Sequence, residues 1–104
     1  MDKLKSPNFN PDLVNTDEYI ILHHTGGNKQ STINTFMDPS KELSAHYLID
    51  KDGGITSFGD DSKVMYHAGT SHWGDKDSMN RYSIGIEFEM LGNDAKGAFS
   101  SKVQ

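Results

Sequence analysis

The stretch from Tyr19 to Gly27, YIILHHTGG, runs through apolar and aromatic residues and then stops at two histidines and a glycine pair. Tyr19 to His24 is a short, nearly continuous apolar run, which predicts a central strand that is buried on both faces of a sheet. Adjacent residues on a strand point to opposite faces, so His23 and His24 cannot both serve one site from the same face. The stretch therefore predicts a strand with one imidazole directed into a site at its end.

A second strand is predicted from Ser83 to Met90, SIGIEFEM, where apolar residues alternate with Gly85, Glu87 and Glu89. This period of two predicts that the apolar set faces a core and that the two glutamates share the other face. Glu87 has two interpretations. It is either a solvent-facing residue, as we expect for Glu89, or a general base in a cleft. The two interpretations make opposite predictions for the burial of Glu87.

The remaining segments predict a small mixed α/β (α+β) domain. Residues 1 to 18 are polar, contain two prolines and are interpreted as an N-terminal arm, followed by a domain over residues 19 to 104. Ser31 is the predicted cap of a short helix through STINTFM, which ends at DPS. Leu43 to Asp50 predicts a strand, which the KDGG turn joins to ITSFG as a hairpin. VMYHAG predicts a further short strand, and AFSSKVQ the first turn of a helix.

Composition limits the classes of function. With 104 residues, a formal net charge of -5 and no cysteine, the chain is one small domain without a disulfide framework or a thiolate metal site. The acidic balance predicts neither a nucleic-acid partner nor an anionic membrane as partner. No apolar run approaches the roughly 18 residues of a membrane span, and the N-terminus lacks a signal-peptide pattern. We therefore expect a cytoplasmic location for the chain as written.

The five histidines are the candidates for chemistry: His23, His24, His46, His67 and His72. Any one of them taken alone is more simply explained as a hydrogen-bonded, half-buried residue, and loop histidines such as His67 and His72 as ordinary loop residues. Both lie among small residues, in YHAG and SHWG, where a ligand could approach the backbone. Their clustering in the sequence favours a shared site, and any metal would have to be bound by histidine and carboxylate.

Four motifs in this order, ILHHTGG, SAHYLIDKDGGI, MYHAGTSHWG and MNRYSIGIEFE, resemble the zinc-dependent N-acetylmuramoyl-L-alanine amidases of the type-2 amidase and peptidoglycan-recognition superfamily. The resemblance covers roughly Tyr19 to Glu89. It is to the branch with bacterial recycling and periplasmic amidases and phage endolysins. It implies a central mixed β-sheet flanked by helices, with a groove for a peptidoglycan strand and its stem peptide.

Several residue roles are implied by the resemblance. His23 matches the first zinc ligand of the family, and Glu87 matches its catalytic glutamate. Ala45 stands where other members carry a catalytic tyrosine, which fits the glutamate-using branch. The positions that match the lining of the substrate groove are His67, Trp73 and Asn80. His24 and His46 are left as rim or structural residues.

The implied reaction is cleavage of the amide between N-acetylmuramic acid and L-alanine by a zinc-activated water, with Glu87 accepting the proton. Family members continue to a late histidine and then a cysteine or aspartate, which supply the other zinc ligands, whereas this sequence ends at Gln104. We therefore expect an amidase truncated at its C-terminus, whose site would be completed by another chain or by local substitutes, and an apolar patch or oligomer contact on the sheet. The alternative is a peptidoglycan-binding module without hydrolysis.

Overall fold

The computed structural model describes residues 1–68 and 79–89, and the backbone alone at 72–73 and 76–77. The predicted helix start at AFSSKVQ lies outside these residues. In chain order the elements are β1 (Asp2–Lys3), β2 (Phe9–Asn10), β3 (Tyr19–His24), α1 (Lys29–Met37), β4 (Tyr47–Ile49), β5 (Ile55–Ser57), β6 (Val64–Met65), β7 (His72–Trp73), β8 (Lys76–Asp77), a 3-10 turn (Met79–Arg81) and β9 (Ser83–Phe88).

The main sheet is mixed and has five strands in the order β1-β5-β4-β9-β3. Strand β9 pairs in parallel with β3 and β4, whereas β4 and β5 are antiparallel. The predicted mixed α/β fold is confirmed. However, β3 is the last strand in the order of the described sheet, and Ile20 on it is 65% exposed. The prediction that this strand is central and buried on both faces is therefore wrong, because its apolar residues are not enclosed on both sides.

The strand register separates the sheet into two faces. One row across the sheet contains His23, Glu87, Leu48 and Thr56, and we call this side the histidine face. The neighbouring rows contain the alternate residues and form the aliphatic face: Ile20, Leu22, His24, Tyr47, Ile49, Ile55, Ile84, Ile86 and Phe88. His23 and His24 thus lie on opposite faces, as predicted.

The buried core lies against the histidine face. Leu48 from β4 belongs to the same buried cluster as Phe36 from α1 and Phe58, and the last two rings meet edge to face at 5.1 Å. On β9 the small residues Ser83 and Gly85 are buried, whereas the alternating apolar residues are only partly buried. The prediction that the apolar set of β9 faces the core is therefore wrong, because the core packs on the opposite side.

Helix α1 begins after the glycine pair, where Gly26 has a φ of 70°. Asn28 is the N-cap, and its side-chain oxygen accepts a hydrogen bond from the backbone N–H of Ser31 at 2.8 Å. The predicted cap at Ser31 is wrong by three residues, since an asparagine directly after the turn can reach the free N–H groups of the first helical turn. The helix ends at Met37 and Asp38 is its C-cap, as the DPS sequence predicts.

The predicted hairpin is present between β4 and β5. The side chain of Asp50 accepts hydrogen bonds from the N–H groups of Asp52 and Gly54, and Gly53 adopts a φ of 85°. Strand β4 is shorter than the predicted Leu43 to Asp50. Residues 44 to 46 instead form backbone hydrogen bonds with three separate segments, around residues 58, 66 and 85.

The N-terminal segment packs onto the rest of the domain through short strands and polar side chains. Strand β1 runs parallel to β5, and β2 pairs with β6. The amide of buried Asn8 donates to the backbone carbonyls of Phe36, Asp38 and Leu43, which secures the end of α1. Asn15 donates to the carbonyl of Ser83 at 2.6 Å, and so holds the start of β9.

Across the described residues, no helix is long and apolar enough to cross a membrane.

Candidate active site

A cavity of about 310 Å³ opens at the ends of strands β3 and β9, between the histidine face and helix α1. The parallel pairing of the two strands brings their C-terminal ends to the same edge of the sheet. The cavity is lined by His23, His24, Thr25, Ser31, Thr32, Thr35, Phe36, Leu43, Ser44, Tyr66, His67 and Glu87. Three of the predicted site residues, His23, His67 and Glu87, are therefore brought together.

His23 and Glu87 are direct neighbours across β3 and β9. Nδ1 of His23 lies 3.8 Å from Oε2 of Glu87, and the two side chains are 24% and 13% exposed. Burial lowers the pKa of His23, and the electrostatic interaction with His24 lowers it further. The ring is therefore neutral near pH 7 and can offer a lone pair, as a metal ligand must.

The burial of Glu87 distinguishes the two interpretations of this residue. Its side chain faces the cavity rather than solvent, and desolvation raises its pKa to about 7. A carboxyl with a pKa near the working pH can both accept and return a proton, which is what a general acid or base requires. The structure thus favours the cleft interpretation. Glu89 lies beyond the strand and accepts backbone hydrogen bonds from Lys29 and Lys51.

His67 lies directly behind His23. Its Nδ1 is 3.3 Å from Nε2 of His23, and its Nε2 is 3.1 Å from the hydroxyl of Ser83. Burial lowers the pKa of His67 to about 3, and the charges of His23 and His46 contribute in the same direction. The His67 ring is therefore neutral near pH 7.

Gly85 makes room for the ring of His67. A Cβ atom at position 85 would lie 2.3 Å from Cγ of His67, which no real contact allows. The missing side chain thus lets an imidazole from a distant part of the chain pack against β9 and reach His23. The alternation in SIGIEFEM does not reveal this requirement, because it depends on a residue 18 positions earlier in the chain.

His46 is a structural residue. It is fully buried, its Nδ1 accepts the N–H of Gly85 at 3.0 Å, and its Nε2 donates to the carbonyl of Lys63 at 2.7 Å. Its ring lies 5.8 Å from that of His67. Desolvation lowers the pKa of His46. With both nitrogens engaged by backbone groups, His46 supports the site from below and cannot reach the cavity.

Asn80 and Trp73 are the two remaining residues predicted to line the groove. The side-chain oxygen of Asn80 accepts the N–H groups of His67 and Ala68, at 3.1 and 2.8 Å, and so fixes the chain where it enters the site. Trp73 lies in β7, and its side chain is outside the described residues. The groove roles of His67, Trp73 and Asn80 stay predictions.

Sequence reasoning did not select Ser83 or Gly85, which hold His67 in position. Nor did it show that Nδ1 of His24 is buried without a hydrogen-bond partner in the described part of the chain. A small residue alternating with large ones on β9 was the available signal, since buried small positions often mark a close approach.

The donor set fits part of a metal site. His23 offers one imidazole nitrogen, and Glu87 a carboxylate beside it. Catalytic zinc sites use three protein ligands and a water. Among the described residues no three histidine, aspartate or glutamate side chains converge to hold a metal ion. A zinc at His23 would therefore need further ligands from outside these residues.

Comparison with known proteins gives a consistent result. The family model for N-acetylmuramoyl-L-alanine amidase matches residues 14–102. N-acetylmuramoyl-L-alanine amidase A of Achromobacter lyticus is 35% identical over 82 residues, 78% of this chain and 42% of the relative. The 1,6-anhydro-N-acetylmuramyl-L-alanine amidase AmpD of Escherichia coli is 43% identical over 47 residues, 45% of this chain and 26% of the relative. The chain thus spans less than half the length of these relatives.

Solved structures agree with the fold. A crystal structure of an AmpD derivative superposes with a TM-score of 0.69 at 27% identity, over 86% of this chain and 60% of that one. The structure of PlyL superposes with a TM-score of 0.67 at 17% identity, over 99% and 62%, which supports the fold alone.

Proposed function

Because the chain belongs to the N-acetylmuramoyl-L-alanine amidase family, we propose that it is a peptidoglycan hydrolase that cleaves the amide between N-acetylmuramic acid and L-alanine. The observation that carries the proposal is the placement of Glu87. Its carboxylate is 13% exposed, faces a cavity and lies beside the imidazole of His23. A buried carboxylate without a catalytic role would only destabilise the fold, since burial disfavours its charged form.

His23 is the residue that would hold a zinc ion, with the remaining ligands supplied from outside the described residues or by another chain. Zinc, when bound, would polarise the scissile carbonyl and make water a stronger nucleophile near neutral pH. The role of this chain's strand is to present the imidazole at a rigid position. A ligand on a paired strand loses little entropy on binding, which supports this assignment.

Glu87 would take the proton from the attacking water and return it to the departing amine of L-alanine. Its raised pKa, about 7, matches both steps, because the carboxylate is a better base and the carboxylic acid is still a competent donor near neutrality. The walls of the cavity from α1, Thr32, Thr35 and Phe36, would exclude bulk water from this transfer. The substrate would enter along the loop that carries His67, with Trp73 and Asn80 as further groove residues.

The test combines metal content with hydrolysis. The 104-residue chain and its His23→Ala variant are loaded with zinc, dialysed and measured by elemental analysis, and each is incubated with muropeptides. We expect about one zinc per parent chain and release of the stem peptide. We expect loss of both in His23→Ala. Glu87→Gln should keep the zinc and lose at least about a hundredfold in rate, as removal of a general base does.

If neither protein retains zinc and neither cleaves muropeptides, the hydrolase proposal for this chain is wrong. Binding of the same muropeptides by the parent chain without cleavage would then identify the alternative, a peptidoglycan-binding module.

A further inference from the structure

A chain of hydrogen bonds runs behind the candidate metal ligand and starts from a backbone carbonyl. The hydroxyl of Ser83 lies 2.6 Å from the carbonyl oxygen of Met79, which can only accept. A serine hydroxyl has a single hydrogen, so this contact uses it. The same oxygen must therefore accept a hydrogen bond from Nε2 of His67, 3.1 Å away.

This sequence of contacts determines the tautomers of both rings. A neutral imidazole has one N–H donor and one lone pair. With the proton of His67 on Nε2, its Nδ1 carries the lone pair and accepts from Nε2 of His23 at 3.3 Å. His23 then has its proton on Nε2, and the lone pair of its Nδ1 points toward Glu87, 3.8 Å away.

We infer that Ser83 and His67 are positioning residues, which hold His23 in the tautomer that presents the lone pair of Nδ1 to the cavity. In metal sites a ligating histidine generally donates its other N–H to a group that fixes its tautomer and ring orientation. Here the acceptor is a second imidazole, which is itself oriented by a serine. This assigns His67 a role different from the groove role implied by the resemblance, because both of its nitrogens are used by protein partners.

We call the hydrogen-bonded series Ser83–His67–His23 the relay. Its burial explains why the two imidazole rings stay neutral. Ser83 is fully buried, and Gly85 leaves the space in which the His67 ring lies. Asn80 holds the backbone of His67 through the N–H groups of residues 67 and 68. The ring therefore cannot turn over to exchange its two nitrogens without breaking contacts on both sides.

Only the purpose of the tautomer, to prepare His23 for a metal, rests on the proposed function. The tautomer itself can be measured without metal. The first experiment is a long-range proton–nitrogen correlation spectrum of the metal-free, ¹⁵N-histidine-labelled chain in the presence of a chelator. This spectrum distinguishes protonated from bare ring nitrogens. We expect His23 and His67 both to be protonated at Nε2. Protonation of His23 at Nδ1 would overturn the proposal whatever the chain does to peptidoglycan.

The second experiment removes the serine hydroxyl. In Ser83→Ala, His67 loses the acceptor for Nε2–H, so we expect both tautomers of His67 and of His23 in the spectrum. Zinc affinity, measured by competition with a chromophoric chelator, should fall about 10- to 100-fold. Ser57→Ala is the matched control, since the Ser57 hydroxyl donates to the carbonyl of Gly59 and Ser57 does not line the cavity, and it should leave the His23 tautomer unchanged.

The outcomes separate the two proposals. If Ser83→Ala folds, as judged by its thermal unfolding, and keeps the parent tautomers and zinc affinity, the positioning role is wrong even if the parent chain is an active amidase. If the tautomers shift as expected but the parent chain neither holds zinc nor cleaves muropeptides, the relay is present and the hydrolase proposal fails.

Discussion

The two faces of the main sheet differ in a way that the alternation of the strands does not predict. On the histidine face, β9 contributes only Ser83, Gly85 and Glu87, yet the first two are completely enclosed. On the aliphatic face the same strand carries two isoleucines and a phenylalanine, and all three are only partly buried. The most exposed residues of this face are Ile20 and Ile55, at 65% and 41%.

This difference shows that the histidine face has the shape that a site requires and that the aliphatic face does not. Small residues on β9 leave room for imidazoles from other parts of the chain. The buried apolar surface comes from Leu48, Phe36 of α1 and Phe58. The polar groups that this packing buries are almost all paired with one another or with the backbone, as interiors require. Stability and site geometry therefore depend on the same face, and substitutions on the two faces should differ strongly in cost.

Gly85→Ala should have the largest effect. The added Cβ would lie 2.3 Å from Cγ of His67, and the ring is held on both sides, so the clash cannot be relieved cheaply. We expect a loss of more than about 4 kcal/mol in the free energy of unfolding, at the upper end for single substitutions. Urea denaturation followed by circular dichroism measures it.

The matched control is Gly59→Ala. The atoms nearest to its Cβ would be Cδ of Lys63 and the end of the buried Met65 side chain, at 3.2 to 3.3 Å. We expect a cost below about 1 kcal/mol, because these neighbours need to shift by only a few tenths of an ångström. Equal costs at the two positions would contradict the conclusion that β9 is shaped around His67.

Leu48→Ala and Ile20→Ala compare the two faces with similar side chains. Leu48 is fully buried in the core, so its truncation should cost about 2 to 5 kcal/mol. Ile20 is 65% exposed, and its truncation should cost less than about 1 kcal/mol. Thermal unfolding of both variants measures the difference. A cost at Ile20 as large as that at Leu48 would mean that the aliphatic face is also buried in solution.

The sequence contains enough information for the strands but not for this asymmetry. Apolar runs and alternation located β3 with its observed bounds and β9 to within two residues, because periodicity reports local structure. The position of Glu87 at the cavity follows from its phase in β9. The sequence could not predict which face of the sheet is buried. This depends on His67, Phe36 and Phe58, which lie in distant segments of the chain. The helix cap was missed because the turn at Gly26 was not recognised as ending at Asn28.

Glu87→Gln should change the pH dependence of stability. Burial raises the pKa of Glu87 to about 7 in the folded state, so the folded protein binds more protons than the unfolded chain between about pH 4.5 and 7. Stability therefore falls as pH rises through this window, by about 3 kcal/mol in total. In the metal-free protein the glutamine variant should equal the parent near pH 4 and exceed it by about that amount at pH 8, in denaturant titrations.

Glu89→Gln is the control with the opposite sign. Backbone hydrogen bonds from Lys51 and Lys29 lower the pKa of Glu89. Its ionised form therefore stabilises the fold above the unfolded pKa, and the variant should be less stable than the parent at pH 8. A gain in stability for both variants at pH 8 would indicate general charge repulsion rather than burial of Glu87.

Tyr47→Phe should have the smallest effect and can be compared with its neighbour His46 on the other face. The Tyr47 hydroxyl donates to Asp61 at 2.5 Å in an exposed hydrogen bond, which raises the pKa of Tyr47 to about 12. Water can replace this contact, so we expect a loss below about 1 kcal/mol. His46→Phe instead leaves the buried N–H of Gly85 without its partner, at about 1 to 3 kcal/mol, and removes one of the two hydrogen bonds to the carbonyl of Lys63, to which Asn15 also donates. If the two variants unfold at the same denaturant concentration, hydrogen bonds on the two faces contribute equally to stability. The paired polar groups of the histidine face would then give no additional stability.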